Sequence, residues 1–384
     1  MQSDCDLNLY KFDTGRLLTP ALAIYPELVR HNIRRMIDVL GGQACRWRPH
    51  LKTVKVAAMM KLLVAEAINT AKCATTRELL VACESGFSDV MVAFPHTGTN
   101  AGRVAQIAAE YPDVRVSTLI ESPDQIAIWR DTPVGIFIDI NPGMDRTGIE
   151  RARVNDIVEQ ARAIEAAGLE FRGLHFYDGH ATEKDIDQRT AAAHKRYDDL
   201  IAIVSAVEKI GVSVREIVST GTPALPCALS YAPFATASFI HQVSPGTVVY
   251  NDTSSLQQLP ADYDLRPAVV VVSRVISHPK RGVITCDAGH KSVSVDSGVP
   301  NCAVLGQPAF VPLKPSEEHL PIEIPRDAPP PPLGSVLYLV PRHVCPTVNN
   351  ANYAVLVEGG AASCVAEVTA RGHERPFPTD CHPL

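Results

Sequence analysis

Short apolar runs alternate with longer segments whose apolar residues recur at helical spacing through the first 250 residues. In residues 149–166, for example, Val154, Ile157 and Ala161 fall on one helical face, and Asp156 and Glu159 fall on the other. This alternation is typical of βα units. After a first strand at residues 21–24, the predicted barrel strands are 45–50, 71–75, 89–94, 114–120, 134–140, 171–177, 214–220 and 241–246. Eight such units predict an α/β fold with a closed parallel (β/α)8 TIM-type barrel.

Beyond Tyr250 the pattern changes to strand-like runs that are separated by turns, without helices between them. This pattern predicts an all-β C-terminal domain, so we expect a barrel with its N-terminal segment over residues 1–250 and a β-rich domain over residues 251–384. Residues 308–334 contain nine prolines, which cannot donate hydrogen bonds to a strand ladder. We expect that segment to be a surface loop.

Composition and charge narrow the function classes. The 384 residues are 46% hydrophobic and 20% charged, which excludes general disorder. The net charge of −6 and the lack of a sustained basic run argue against a nucleic-acid partner. The longest apolar runs are too short to span a bilayer, and residues 1–16 lack the apolar core of a secretory signal, so we expect a cytoplasmic protein without a membrane partner. The ten cysteines form no CxxC pair, and we expect most to be reduced and buried.

The end of the first barrel strand carries a cluster of cationic residue types. The segment Arg48-Pro49-His50-Leu51-Lys52-Thr53-Val54-Lys55 brings two lysines, a histidine and an arginine to the place where barrels hold their reactive groups. A lysine among other cations has a lowered pKa and can form an imine with an aldehyde. Lys52 is the candidate, and the alternative is that Lys52 and Lys55 are solvated residues at a helix start.

Other predicted strand ends carry groups suited to a phosphorylated aromatic cofactor. Residues 219–223 (STGTP) and 244–247 (SPGT) offer backbone N–H groups and hydroxyls in the two loops where barrels commonly hold phosphate. Residues 141–148 and 177–180 place Arg146, Tyr177 and His180 at the same barrel mouth. Each loop alone is more often a plain turn, but five converging strand ends favour a cofactor site.

These segments together resemble the D-serine dehydratase and D-threonine aldolase family. The resemblance rests on RPHLKTVK (48–55), GMDRTG (143–148), the STGTP and PGT loops, SEEH (316–319) and PRHVCPT (341–347), and it spans about residues 19–372. It implies a barrel of the alanine racemase type, pyridoxal 5′-phosphate (PLP) on the motif lysine, and a divalent metal next to the cofactor.

Transferred residue by residue, the resemblance identifies Lys52 as the Schiff-base lysine, with His50 in the same motif, and Arg146 and Tyr177 as contacts of the cofactor ring. It further implies that a phosphate cradle is formed by Thr220, Gly221, Thr222, Gly246 and Thr247. His343 and Cys345, expected on a loop after a strand ending at Val340, are the implied metal ligands. Imidazole with thiolate suits Zn²⁺, and Mn²⁺ or Mg²⁺ are the alternatives.

The sequence departs from the family pattern at two positions. Val54 stands where many relatives have a second histidine, and Glu183 stands six positions after Tyr177, where aldolases of the group carry a histidine. His180 could replace that histidine as a base or could be structural. The segments 287–291 and 316–319 also match the family, without a chemical role that the sequence reveals.

The resemblance implies a PLP- and metal-dependent lyase acting on small β-hydroxy D-amino acids. Dehydration to an oxoacid and ammonia is slightly favoured, because thiolate-bearing relatives are more often dehydratases and Glu183 replaces the aldolase histidine. Retro-aldol cleavage to glycine and an aldehyde is the alternative reaction. An amino-acid racemase would need a second base, and a non-catalytic PLP carrier would have no use for a metal pair. Barrels of this type usually pair, so we expect a homodimer.

Overall fold

The computed structural model describes residues 6–376, which form two β-sheets and eleven α-helices. The strands are β1 (Ala21–Ile24), β2 (Thr70–Cys73), β3 (Asp89–Val92), β4 (Arg115–Ile120), β5 (Gly135–Asn141), β6 (Ile149–Glu150), β7 (Phe171–Phe176), β8 (Glu216–Ser219), β9 (Ile240–Val243), β10 (Val269–Lys280), β11 (Val283–Cys286), β12 (Cys302–Val304), β13 (Val311–Pro312), β14 (Leu320–Glu323), β15 (Val336–Pro341), β16 (Tyr353–Glu358) and β17 (Ala361–Glu367). The helices are α1 (Pro26–Val39), α2 (Ala57–Ala65), α3 (Thr76–Glu84), α4 (Gly98–Glu110), α5 (Ile126–Trp129), α6 (Val154–Ala166), α7 (Ile186–Lys209), α8 (Leu225–Leu229), α9 (Ala232–Thr236), α10 (Thr253–Gln258) and α11 (Val344–Asn350).

The chain divides into two compact units. The barrel unit comprises Leu40–Lys52, Ala67–Gly246 and the segment from Gly372, and the β-rich unit comprises the segment up to Val39, Thr53–Glu66 and Thr247–Arg371. The predicted boundary at residue 250 lies close to the last division. The N-terminal segment differs from the prediction. It was expected in the barrel, but its strand β1 pairs with β10 and β16 in the sheet of the β-rich unit.

The barrel unit confirms the predicted alternation of strands and helices. Its parallel strands follow the order β2-β3-β4-β5-β7-β8-β9, with helices between them in sequence, and short β6 adds to β5. The strands are largely buried, and Met91, Leu119, Phe137 and Val218 pack together as one cluster. Seven of the eight predicted barrel strands are present, with ends shifted by a few residues.

The one predicted barrel strand that is not regular is the first in chain order, residues 45–50. Residues 44–46 form a 3₁₀ turn, and the chain then makes two isolated parallel bridges, Trp47 to Val243 of β9 and His50 to Lys72 of β2. Pro49 lacks an N–H, so it accepts from Lys72 N (2.9 Å) but donates nothing. The segment still joins the two edge strands and thereby completes the ring.

A buried ionic network lies inside the barrel unit. Arg172, fully buried, donates to Asp89 (2.5 Å) and Glu216 (2.6 Å), and Arg48 contacts the same two carboxylates at 2.7 and 3.2 Å. Burial alone would raise the pKa of Asp89, but the two guanidinium groups lower it to about 2. Arg48 of the RPHLKTVK segment therefore has a structural role.

The β-rich unit contains a mixed nine-stranded sheet, in which β1 lies between antiparallel β10 and parallel β16. Two expectations for this region are wrong. The proline-rich segment contains two short strands: β14 pairs with β11 and with β13, and β13 lies at the edge of the sheet, where a proline is tolerated. The second is the expected loop at His343 and Cys345: His343 directly precedes α11, and Cys345 lies in its first turn.

None of the helices within residues 6–376 is long and apolar enough to cross a membrane. Eight cysteines of the described chain are free thiols, and six of them are buried, in agreement with the expectation. Cys5 and Cys381 lie outside the described residues.

Candidate active site

The candidate active site of the barrel unit lies at the carboxyl ends of its strands. Lys52 ends the segment that closes the ring, and its N–H donates to His50 Nδ1 (3.3 Å). Tyr177 directly follows β7, and Arg146 lies in the loop after β5. Because carboxyl ends of parallel barrel strands share one face, these side chains come together there.

Three cationic side chains surround the ring of Tyr177. Lys52 Nζ lies 5.8 Å, Lys72 Nζ 5.0 Å and Arg146 Cζ 5.0 Å from the ring centroid. The sequence analysis identified Lys52, Arg146 and Tyr177 as a group, and the structure brings them together. It did not identify Lys72, which lies on β2 with 1% of its surface exposed.

Lys72 belongs to a buried polar chain across the barrel interior. Its Nζ lies 3.1 Å from His175 Nε2, and His175 Nδ1 lies 2.7 Å from Asp139 Oδ1. Thr147 Oγ1 donates to the second oxygen of Asp139 (2.7 Å). Neutral His175 thus donates through Nδ1 and accepts from Lys72, and burial and the neighbouring Lys72 lower its pKa. The sequence signal was a lone lysine and a lone histidine within buried strands.

Lys72 should give the cofactor-free protein a pH-dependent stability. Burial and the nearby Lys52 lower the pKa of Lys72 from 10.5 to about 7, so between these values the unfolded chain binds more protons and stability rises with pH. Below pH 7 both states are protonated and the buried charge costs its full amount. We expect Lys72→Met to be more stable than wild type at pH 6.5 by at least about 1 kcal/mol, with the gap shrinking towards pH 9.5.

Urea unfolding of PLP-free wild type and Lys72→Met at both pH values measures this gap. A difference in unfolding free energy that is the same at pH 6.5 and pH 9.5 would contradict the expected titration.

The residues of the predicted phosphate cradle lie in two loops. Thr220, Gly221 and Thr222 follow β8 and are buried, and Ser244 to Gly246 follow β9. Thr220 has a left-handed φ of 72°, a strained conformation for a threonine that is characteristic of functional turns. A Cβ at Gly221 would lie 3.0 Å from Tyr177 Cε2, so a side chain there would crowd the ring, and glycine favours this close approach of loop and ring.

The residues of this site fit an anionic phosphorylated cofactor. The buried Ser244 Oγ has no hydrogen-bond partner within residues 6–376, although it lies in the second cradle loop. The site also has more positive than negative charge among the described residues: Asp139 is the carboxylate that faces Lys72, whereas the cations are Lys52, Lys72 and Arg146. An excess of positive charge in a buried site suits an anion. Gly246 lies against the carbonyl of His50 so closely that any side chain there would collide.

His180 lies in the loop after β7. Its Nδ1 is buried without a hydrogen-bond partner among the residues described, and burial and Arg196 lower the pKa of its imidazole. His180 is therefore a neutral imidazole at pH 7. Glu183, exposed nearby in sequence, uses its carbonyl to accept a hydrogen bond from Arg189.

The predicted metal pair lies in the β-rich unit. His343 Nδ1 lies 2.6 Å from Asp296 Oδ2. Burial acts to lower the pKa of His343, but Cys345 and Asp296 outweigh it and raise that pKa to about 9. Cys345 Sγ lies 3.0 Å from Thr53 Oγ1 and 3.6 Å from Thr247 Oγ1, residues that directly follow Lys52 and Gly246 in the sequence. Imidazole and thiol are donors that suit Zn²⁺. Within residues 6–376, no three His, Cys, Asp or Glu side chains form a metal-sized group. The predicted metal ligands therefore remain a pair, His343 and Cys345.

The two further family segments have structural partners. His290 N donates to the carbonyl of Ser316 (2.9 Å), which ties residues 287–291 to 316–319. Asp287 accepts from Thr19 Oγ1 (2.6 Å) and Ser273 Oγ (2.7 Å). Val54, where many relatives have histidine, is fully buried. These contacts explain the segments as packing elements of the β-rich unit.

Comparison with known proteins supports the same assignment. The profile of the alanine racemase N-terminal domain matches residues 24–254, and that of a serine dehydratase domain matches residues 268–357. The 3-hydroxy-D-aspartate aldolase of Paracoccus denitrificans (strain Pd 1222) is 28% identical over 384 residues, with 94% of each chain covered.

Two solved structures extend the comparison. The D-threonine aldolase of Filomicrobium marinum superposes with a TM-score of 0.85 at 26% identity, covering 94% of this chain and 98% of that one. The D-threo-3-hydroxyaspartate dehydratase of Delftia sp. HT23 superposes with a TM-score of 0.79 at 22% identity, covering 94% and 99%, and shows the shared fold. A D-threo-3-hydroxyaspartate dehydratase with a cysteine replaced by alanine was also solved in a metal-free form.

The barrel, its lysine-bearing mouth and the β-rich unit define a protein with the alanine racemase type of fold. The chain belongs to the family of the alanine racemase N-terminal domain. Its second domain match and its relatives make it similar to the D-serine dehydratases and D-threonine aldolases, which are PLP-dependent lyases. The resemblance predicted from the motifs is thus confirmed.

Proposed function

We propose that this protein is a PLP- and divalent-metal-dependent lyase of β-hydroxy D-amino acids that releases water and ammonia to leave a 2-oxoacid. The names of its relatives support the substrate class, since they act on D-threonine or 3-hydroxy-D-aspartate. The observation that carries the choice of dehydration is the thiol of Cys345 beside His343.

In the barrel unit, Lys52 would hold the cofactor covalently. Bound PLP supplies an electron sink that makes the α-proton of an attached amino acid removable. Lys52, once displaced by substrate, would take and hold that proton on one face, so that one enantiomer reacts. Thr220, Gly221, Thr222, Ser244 and Gly246 would orient the phosphate, and Tyr177 and Arg146 would hold the ring. His180 is a neutral imidazole able to accept a proton as an auxiliary base.

In the β-rich unit, His343 and Cys345 would hold a divalent metal, which supplies a Lewis acid for a hydroxyl group. Asp296 accepts from His343 Nδ1 and fixes the tautomer that leaves Nε2 for a metal. A thiolate ligand favours Zn²⁺ over Mn²⁺ and Mg²⁺. In two solved mutants of D-threo-3-hydroxyaspartate dehydratase, the replaced histidine and cysteine stand two positions apart, as His343 and Cys345 do.

Retro-aldol cleavage to glycine and an aldehyde is the second candidate. It is favoured by the Paracoccus and Filomicrobium relatives, which are aldolases. Against it stands Glu183, an exposed carboxylate at the position where a histidine is expected in aldolases.

A panel of β-hydroxy D- and L-amino acids, assayed for oxoacid, glycine and racemised substrate with and without chelator, tests the proposal. We expect 2-oxoacid from D-serine or D-threo-3-hydroxyaspartate, and its loss in chelator. Glycine and aldehyde alone would replace dehydration with the aldolase reaction. Racemised substrate would make the protein a racemase, and binding of PLP without any product would make it a carrier.

We also propose a homodimer. The β-rich unit exposes Leu18 (90%), Tyr353 (63%) and Val365 (67%) around an apolar cavity of about 550 Å³. Exposed apolar patches of this kind mark association surfaces, and a second copy of the chain is the expected partner. Light scattering should give a dimeric mass for wild type and a monomeric mass for Leu18→Asp/Val365→Asp. A monomeric wild type, or a double variant that stays dimeric, would contradict this proposal.

A further inference from the structure

Lys72 is a buried amine that the proposed mechanism does not use. It is almost completely enclosed, yet its Nζ lies closer to the Tyr177 ring centroid than that of Lys52, at 5.0 against 5.8 Å. The β2 backbone holds it in place, since Lys72 N donates to the Pro49 carbonyl and Lys72 O accepts from Leu51 N (2.7 Å). It is therefore anchored next to the segment that carries Lys52.

The charges that face Lys72 leave it undercompensated. Lys52 and Arg146 are cations near it, and Asp139 is the carboxylate among the described residues whose charge opposes theirs. Arg48 also acts on Lys72, but it is itself paired with Asp89 and Glu216. His175 accepts a hydrogen bond from the ammonium, but it is itself neutral and so adds no negative charge. Removing a charged amine from water without a matching anion is costly, so a position of this kind is explained best by an anion that binds there.

We propose that Lys72 is a positioning residue for the cofactor, whose ammonium, oriented by His175 and Asp139, interacts with an anionic oxygen of bound PLP. The inference rests on the proposed function only in requiring that PLP binds to the barrel unit. It assigns Lys72 a role separate from Lys52, which forms the covalent link.

The chemistry favours PLP over the substrate carboxylate as the anion. Lys72 lies over the ring of Tyr177, the same ring that Lys52 and Arg146 flank, and it is buried within the barrel unit. A charge-assisted hydrogen bond from a buried ammonium is about twice as strong as a neutral one. An ammonium that serves the cofactor must change PLP affinity in the absence of any substrate, whereas one that serves a substrate must not.

The affinity for PLP, titrated by absorbance without substrate, tests the inference in wild type, Lys72→Met and Lys72→Arg. We expect the Kd of Lys72→Met to rise about tenfold, and that of Lys72→Arg to stay within about threefold because the positive charge remains. Lys195→Met removes an exposed lysine from α7 of the same unit, with the same change in net charge, and should bind PLP as wild type does.

The pH dependence adds a readout that a merely structural lysine would not move. The advantage of wild type over Lys72→Met should be largest below pH 7, where Lys72 is charged before PLP binds, and should decline as pH rises. The advantage of Lys72→Arg should not decline.

Three results would overturn the inference: an unchanged Kd in Lys72→Met, an affinity ratio that is flat with pH, or PLP found on Lys72 after borohydride reduction. Thermal unfolding of each PLP-free variant separates loss of folding from loss of binding, and Lys72→Arg provides a second variant if Lys72→Met does not fold. Failure of the proposed function gives a different result from failure of this inference. Wild type that binds PLP but forms no lyase product would refute the reaction, and the affinity titration would still test the role of Lys72.

Discussion

Replacing Lys52 with alanine is expected to lower oxoacid release from D-serine or D-threo-3-hydroxyaspartate by at least about 10³-fold, because the variant loses both the covalent attachment of PLP and the base for the α-proton. Lys52→Arg should be equally inactive, since a guanidinium keeps the charge but forms no imine and is not a base at pH 8. Coupled spectrophotometric assay of the oxoacid measures both.

Lys195→Ala is the matched control, because Lys195 is exposed on α7 of the barrel unit and should keep wild-type turnover. The account would fail if Lys52→Ala retained a tenth or more of the wild-type rate with PLP still covalently bound.

Replacing Cys345 with alanine is expected to reduce bound metal from about one ion per chain to less than about a tenth, since a site with two protein ligands cannot lose one and keep its affinity. Oxoacid release should fall by about 10²-fold or more and should recover only partly at high metal concentration. Elemental analysis of the purified protein measures the first effect.

Cys345→Asp should retain metal but shift its preference from Zn²⁺ towards Mn²⁺ and Mg²⁺, because carboxylate is a harder ligand than thiolate. Cys364→Ala is the control, since Cys364 is an exposed thiol of the same β-rich unit. Full metal content in Cys345→Ala, or loss of metal in Cys364→Ala, would remove the basis for the site at His343 and Cys345.

Much of the barrel follows from the sequence, because parallel strands buried on both faces are short apolar runs and their helices have a clear apolar face. The loops after β5, β7 and β8 lie where the motifs predicted them. Residues 45–50 are the exception in the barrel: Pro49 interrupts the donor pattern of a strand, so the segment closes the ring through isolated bridges.

The sequence was less informative where polar residues enter the core. Lys72 and His175 each stand within a buried strand, and neither periodicity nor motif shows that they meet, since the contact joins residues 103 positions apart. Helix α11 was also missed: it is only seven residues long, and Pro346 lies in its first turn, where proline is compatible with a helix. Asp296, which orients His343, lies in a loop with no motif of its own.

The most direct test of the central claim is the site of attachment of PLP. Wild-type protein is incubated with PLP, reduced with borohydride, digested and analysed by mass spectrometry. We predict a visible absorbance that reduction bleaches, and one modified peptide in which the pyridoxyl group lies on Lys52. A protein that gains no such absorbance, or a pyridoxyl group on any other lysine, would contradict the account.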